Sequence, residues 1–174
     1  MTDEAGAEQT ETGAQAEEPY GFPMSESRGQ QVVHVPREQL ADVVMELRDE
    51  HGFNMCIDVT AVDYLAYEAP RRLPPEVDPE RFEIVVSLLA MRERKRLRIR
   101  VQVPEDDPVV PSLFDVHPGT EAMEREVYDM FGIRFTDHPD LSRILMPEDW
   151  IGHPLRKDYA EGRIPVQFKG ADRR

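Results

Sequence analysis

The run Phe82-Glu83-Ile84-Val85-Val86-Ser87-Leu88-Leu89-Ala90, the charged turn Met91–Lys95 and the run Arg96-Leu97-Arg98-Ile99-Arg100-Val101-Gln102-Val103 together decide the kind of fold this chain adopts. The first run is apolar at most positions, as a strand covered on both faces is, so it belongs in the middle of a sheet. In the second run Leu97, Ile99, Val101 and Val103 alternate with Arg96, Arg98, Arg100 and Gln102, the period of a strand with one face on a core. The two make a hairpin whose arginine row faces outward. Three readings of that row stay open: a solvated face that blunts a sheet edge, a basic strip that docks an acidic surface of another protein or this chain's own acidic segment, and, more distantly, a nucleic-acid contact.

Upstream, Phe53, Met55, Ile57 and Val59 alternate with Asn54, Cys56, Asp58 and Thr60, which predicts another strand. Pro70, Pro74, Pro75 and Pro79 make residues 68–80 an irregular loop. Before the strand, Leu40, Val43, Val44 and Leu47 form one helical stripe, opened by Pro36 and stopped by Gly52. His51 falls in its last turn, where it faces the negative end of the helix. Downstream, Thr120 to Phe131 predicts a second helix, capped by Thr120, striped by Met123, Val127 and Met130 or Phe131, and ended by Gly132. A short strand-like Ile133–Phe135 follows.

The chain has 174 residues, the length of one domain of about 100–200 residues. Its formal charge is −14, which argues against free-standing nucleic-acid binding. Residues 1–20 hold six acids and no base, and residues 92–100 reverse the sign with six bases against Glu93. Residues 1–30 lack the apolar runs needed to offset ordering entropy and read as a disordered acidic tail, with ordering on a partner centred on Tyr20, Phe22 and Met24. From His138 to Arg174 the chain is loop-rich, with seven bases against six acids and little periodicity, and reads as an extended segment built to lie on something else. Residues 31–137 are then the folded domain.

Cys56 is the one cysteine, which rules out an internal disulfide and thiolate-held clusters and suits a reducing, cytoplasm-like compartment. The longest apolar run, Ile84 to Met91, is far short of the ~20 residues of a spanning helix. No secretory signal is expected. No two glycines lie closer than seven positions, so neither a P-loop nor a dinucleotide fingerprint is present. The histidines, at 34, 51, 117, 138 and 153, include no i, i+4 metal pair, and no serine sits in a nucleophile elbow.

One dense constellation is left: Glu124-Arg125-Glu126-Val127-Tyr128-Asp129. On a helix Arg125 and Asp129 are four apart and can pair, and Glu124 shares a face with Tyr128. Glu124 and Glu126, two apart, point about 200° from each other and cannot converge on one atom as an acid–base couple. An ionic network that anchors the helix to a neighbouring chain is the preferred reading.

Here a resemblance enters. Glu124-Arg125-Glu126, Tyr128-Asp129-Met130-Phe131-Gly132-Ile133, His138-Pro139-Asp140-Leu141 and Arg143-Ile144-Leu145 resemble the signature of the thirty-kilodalton subunit of proton-pumping NADH–quinone oxidoreductase, of the respiratory complex I family. Asp58-Val59-Thr60-Ala61-Val62-Asp63-Tyr64, Asp107-Pro108-Val109-Val110-Pro111-Ser112 and Gly152-His153-Pro154-Leu155-Arg156-Lys157-Asp158-Tyr159 extend it, in order, over roughly residues 32–170. In one departure, Ser142 stands before Arg143 where the family generally has a basic residue, which puts one inter-subunit contact in doubt.

The resemblance implies an α+β fold, a mixed β-sheet flanked by helices, with an extended C-terminal segment. It implies a cofactor-free structural subunit of the peripheral arm, beside the quinone-cavity subunit, the neighbour that forms much of the quinone cavity. FMN and iron–sulfur clusters belong to partner subunits, and the complex sits on the cytoplasmic side of the plasma (inner) membrane. The expected subunit interface comprises Glu124, Arg125, Glu126, Tyr128 and Asp129, with residues 138–159, including His138, Arg143, His153, Arg156, Lys157, Asp158 and Tyr159, wrapping a neighbour. The alternatives are the equivalent arm subunit of a homologous complex fed by another donor, a hydrolase using Glu124 or Glu126 with His138, and a stand-alone acidic adaptor.

Overall fold

The computed structural model describes residues 20–160. Its centre is a five-stranded mixed sheet in the order β1-β2-β5-β4-β3, built from β1 (Met24–Ser27), β2 (Gln30–His34), β3 (Met55–Asp63), β4 (Phe82–Ala90) and β5 (Lys95–Val103). The β4–β5 hairpin lies at its heart, with Ile84 opposite Val101 and Val86 opposite Ile99. Helices α1 (Leu40–Asp49) and α2 (Glu121–Phe131) bury Leu40, Val43, Val44 and Leu47, and Val127, Met130 and Phe131, in one core with alternate residues of the strands. These are the stripes the 3.6-residue spacing predicts, and the α+β class follows. Strands β6 (Val109–Pro111) and β7 (Arg134–Thr136) pair in parallel and tie together the segments on either side of α2.

Three expectations are corrected. Within the tail expected to be disordered, residues 24–27 form β1, which pairs antiparallel with β2; only Gln30 of β2 falls in that tail, and Val32, Val33 and His34 beyond it are buried. Residues 1–19 of that tail lie outside the described residues. The reason is tertiary: the short run Val32-Val33 has no amphipathic period of its own and becomes a strand by pairing in parallel with β5, Val33 opposite Ile99. That pairing makes β5 interior, so the arginine row does not guard an edge.

Third, Met55 and Ile57 are exposed, although the alternation puts them on the core face. The register of β3 against β4 shifts between Cys56 and Asp58. Ile57 is the extra residue of that bulge, so Cys56 packs on the core before it and Val59 stays on the core face after it, as expected. Thr120 also departs from its predicted capping role. It closes a preceding 3-10 turn, Pro118–Thr120, and its hydroxyl donates to Glu124 Oε1 at 2.8 Å.

The proline-rich loop is held to the sheet by a buried charge that the strand pattern hides. Glu83, fully buried between Phe82 and Ile84, accepts from Arg71 Nη2 (2.7 Å), Gln102 Nε2 (2.6 Å) and Tyr64 Oη (3.1 Å). Arg71 also donates to the Glu80 carbonyl at 2.7 Å and stacks 3.7 Å from the Tyr64 ring centroid. Glu83→Ala leaves the Arg71 guanidinium buried without its counter-charge and is expected to cost roughly 3–5 kcal/mol in urea unfolding. Arg96→Gln, on an exposed side chain of β5, stays within about 0.5 kcal/mol of the parent.

Candidate docking site

Helix α2 ends at Gly132, whose φ of 75° is a left-handed stop that glycine adopts without strain, and its amide returns to the Tyr128 carbonyl at 2.9 Å. The remaining carbonyls of the last turn have no partner inside the helix. The segment after β7 supplies them. His153 Nδ1 donates to the Asp129 carbonyl at 3.0 Å, the Leu155 amide to Met130 at 3.0 Å and Arg156 Nε to Phe131 at 2.6 Å. Arg143 and Arg156 also bring positive charge to the negative end of the helix. A Cβ on Gly132 would sit 2.6 Å from His153 Nε2, so the ring closes over the glycine.

Asp129 is the hub. Its carboxylate is completely buried, pairs through Oδ1 with Arg143, and accepts through Oδ2 from the amides of Ile144 (3.1 Å), Leu145 (2.8 Å) and Met146 (2.8 Å). Burial by itself raises its pKa, but those three amides and Arg143 outweigh it and hold the group below the usual carboxylate range. Arg143 Nη2 continues to the Gly152 carbonyl at 3.0 Å, so one guanidinium joins helix, loop and turn.

Arg125 closes the other side. Its guanidinium donates to the Ser142 carbonyl (3.1 Å), Ser142 Oγ (3.0 Å) and the Arg143 carbonyl (3.1 Å), and pairs with Glu121 at 3.1 Å. The expected Arg125–Asp129 pair does not form, because Asp129 is saturated by Arg143 and the amides while Arg125 leans back one turn to Glu121. Ser142, where a basic residue was expected, serves as an internal acceptor for Arg125.

Glu124 is also corrected from interface to interior. Fully buried, it accepts from Leu113 N and Thr120 Oγ1 (both 2.8 Å) and from Ser112 Oγ (2.6 Å). His138 accepts the Asp140 amide on Nδ1 at 3.1 Å and therefore donates from Nε2 to the Glu121 carbonyl at 3.1 Å. Glu124 and His138 are thus engaged with separate partners, and the acid–base arrangement of the hydrolase alternative is not assembled.

A second lock draws in the end of the segment. Buried Asp63, on the core-facing register of β3, receives Arg81 Nε and Nη2 at 3.1 and 2.9 Å, the Leu65 amide at 2.9 Å and the Lys157 amide at 2.8 Å. Arg81 reaches on to Asp158 at 2.9 Å and to Glu105. Pairing with Asp63 above all raises the Arg81 pKa, and the hydrogen bond from Arg81 lowers that of Asp158. The sequence signal for this lock was an acid in phase with Val59 and Ala61.

Of the expected interface residues, Glu126, Lys157 and Asp158 are exposed, and Tyr128 is half-buried, its ring edge-on to His153 at 6.1 Å. Tyr159 packs its ring against Gly152, where a Cβ would lie 2.7 Å from it. The segment expected to wrap a neighbour therefore clasps this chain's own helix as far as residue 160, and residues 161–174 lie outside the described residues. Its outward side carries Ile144, Leu145, Ile151 and Leu155, Leu145 exposed at 60% and Ile151 at 89%, interspersed with exposed Glu148, Asp149, Lys157 and Asp158. Beside them Trp150, Ile151 and Tyr159 line a hollow of about 660 Å³, and among the described residues the buried Trp150 Nε1 has no hydrogen-bond partner.

These features define an α+β domain whose C-terminal segment is clasped by buried polar anchors and leaves four apolar side chains exposed. Comparison with known proteins agrees. The sequence model of the family described as respiratory-chain NADH dehydrogenase, 30 Kd subunit, matches residues 33–163. The NADH-quinone oxidoreductase C-subunit of Saccharopolyspora erythraea is 47% identical over 147 residues, and that of Salinispora arenicola 43% over the same length. Each alignment covers 83% of this chain, which spans only 55% and 56% of the two relatives. Among solved structures, the trypsin-resistant fragment of Nqo5 is 36% identical with a TM-score of 0.62, covering 71% of this chain and 92% of that one. A chain of the archaeal membrane-bound sulfane sulfur reductase, at 23% identity and TM-score 0.58 over 89% of this chain and 90% of its own, shares the fold. The chain belongs to the 30 Kd subunit family of respiratory-chain NADH dehydrogenase, the family of the NADH–quinone oxidoreductase C-subunits.

Asp129→Asn removes the charge that Arg143 faces and puts an amide donor among three amide donors, an expected loss of about 3–5 kcal/mol together with amide-exchange protection at residues 144–146. In the parent, Asp129 has a folded pKa below its ordinary 3.8, so its stabilisation is complete above that pH and is lost as pH falls through the folded value. His153 loses stability earlier. Burial lowers its pKa, so the unfolded chain takes up the proton first as pH drops below 6.5. The protection factors of the amides of residues 144–146, each rate being referred to the intrinsic rate at its own pH, are expected to fall as pH is lowered from 7, and the further fall below pH 3.8 is absent in Asp129→Asn.

Proposed function

We propose that this chain is a structural subunit of the peripheral arm of an NADH–quinone oxidoreductase, and that its task is to hold neighbouring electron-carrying subunits in register. The observation that carries this reading is the exposure of apolar side chains on residues 141–159 in a chain of this family. Arg143, Arg156 and Asp158 turn inward to α2 and Arg81, and Leu141 and Met146 pack on the core, while Ile144, Leu145, Ile151 and Leu155 are left outside beside exposed Glu148, Asp149 and Lys157. Exposed apolar side chains on an ordered segment mark an interaction surface, and the hollow lined by Trp150, Ile151 and Tyr159 offers a pocket to a partner's side chain.

On this reading the partner is the quinone-cavity subunit. The complex carries electrons from NADH through FMN and iron–sulfur clusters in other subunits to quinone, coupled to proton translocation. The chain binds none of these groups. One cysteine and no closely spaced glycines support that. No helix of the described residues is long and apolar enough to cross a membrane, so attachment to the cytoplasmic face of the plasma membrane runs through the assembly.

Leu145→Asp combined with Ile151→Asp tests the reading. Both side chains are exposed, so the isolated chain is expected to unfold within about 0.5 kcal/mol of the parent per site. Affinity purification of the tagged variant from cells is expected to recover it without the other arm subunits, with quinone reductase activity lost in proportion to assembly. Normal assembly with the parent's companions overturns the docking surface. A parent chain that co-purifies with a different set of redox subunits overturns the donor assignment.

A further inference from the structure

We propose that the sheet face turned away from the two helices carries a binding site for a phosphate monoester, held by Arg28, Arg71, Arg72 and Arg100. The four arginines line one hollow of about 390 Å³. Three parts of the chain build it. On β5, Arg100 stands between Ile99 and Val101, both in the core, so its side chain takes the opposite face. On β1, Ser25 and Ser27 alternate with Met24, which packs on the core, and the turn to β2 sets Arg28 beside them in the wall. The proline-rich loop folds over this face and adds Arg71 and Arg72.

The balance of charge in the hollow is positive. Glu26 is the acid in its wall, and Glu83 lies behind, 2.7 Å from Arg71 Nη2 and 3.4 Å from Arg100 Nε. Four cations against these two carboxylates leave two positive charges uncancelled, which matches a dianion. Arg71 is fixed in place by Glu83, Gln102, the Glu80 carbonyl and its stacking on Tyr64, so little freedom is lost when it meets a ligand. The other three have donors to spare. Among the described residues Arg28, Arg72 and Arg100 donate no side-chain hydrogen bond, and Arg100 Nε is buried without a partner. Buried donors are nearly always satisfied in folded proteins, and an oxyanion supplies the missing acceptor.

The kind of anion follows from shape. Guanidinium forks match the oxygens of a phosphate, two N–H groups at a time. A bare phosphate ion is much smaller than the hollow, whose remaining wall is formed by Tyr64, Tyr67, Pro70 and Leu73. The two tyrosine rings meet edge-on at 5.5 Å, and Tyr67 is 55% exposed, so an apolar or aromatic ester group has a surface to lie on. A soluble phosphomonoester and the headgroup of an anionic lipid share this chemistry. None of residues 141–159 lines the site, and the proposal does not rest on the docking surface they form.

The test uses the full chain, isotope-labelled, at constant ionic strength. Its probes are inorganic phosphate, phenyl phosphate, and phosphatidylcholine vesicles with or without phosphatidic acid. Phenyl phosphate is expected to shift the amides of residues 25–28, 71–73 and 100 saturably, at lower concentration than inorganic phosphate does. The amides of the exposed basic turn, residues 92–96, are expected to stay in place. Arg28→Gln and Arg72→Gln, both on exposed side chains, are each expected to weaken phenyl phosphate binding roughly tenfold with the rest of the spectrum unchanged. Arg96→Gln is expected to leave binding at the parent's value. Sedimentation with vesicles that needs phosphatidic acid and is lost in Arg72→Gln assigns the monoester to a lipid headgroup. Phenyl phosphate binding without such sedimentation assigns it to a soluble molecule. The proposal is overturned if neither phenyl phosphate nor phosphatidic acid binds, if residues 92–96 shift equally, or if both arginine variants keep the parent's affinity. Equal affinity for inorganic phosphate and phenyl phosphate also overturns it.

Discussion

The course of the segment that follows β7 depends first on one buried carboxylate. Asp129 gathers three consecutive amides and the Arg143 guanidinium at the last turn of α2. A charge buried without partners is among the most costly features a fold can carry, and one surrounded by matched donors instead fixes the path of the chain that supplies them. Residues 144–146 have no strand or helix to satisfy their amides, and Asp129 provides that satisfaction. Arg143 carries the constraint onward to Gly152, and His153, Leu155 and Arg156 complete it by capping the helix carbonyls.

That arrangement explains why a segment with little hydrophobic period has a defined course. An ordinary loop is ordered by burying apolar groups against the core. Here the polar groups do the anchoring, through Asp129 at one end and Asp63 with Arg81 and Asp158 at the other, and Ile144, Leu145, Ile151 and Leu155 are released to face outward. A preorganised apolar surface loses little conformational freedom when a partner covers it. The signature residues of the family motif are thereby divided: Glu124, Arg125 and Asp129 build the platform from within, Val127, Met130, Phe131 and Ile133 fill the core, and Glu126 faces outward.

The two helices, the three long strands and the domain's central hairpin were legible because each carries a period that survives in one dimension. Other features were not. The bulge at Ile57 turns Met55 and Ile57 outward and Cys56 inward while Val59 keeps the facing the alternation gives it, and an extra residue leaves no mark in an alternation that continues past it. The strand β2 is a five-residue run whose identity comes from β5, its neighbour in space but far along the chain. Glu83 and Asp63 sat in view as acids on core strands, and their partners Arg71 and Arg81 lie in or beside a proline-rich loop whose course no local rule specifies.

The order of residues was enough to place the helices, the core hairpin, the charge asymmetry and, through ordered motifs, the family, because propensity, periodicity and motif spacing are local properties of the chain. Folding in three dimensions was needed to make β5 interior, to give Arg125 to Ser142 and Asp129 to Arg143, and to turn Arg143 and Arg156 of the C-terminal segment inward while Leu145 and Ile151 face out. Those outcomes are competitions among donors and acceptors far apart in sequence. Which pair wins depends on distance and burial, and both come into existence only when the chain has folded.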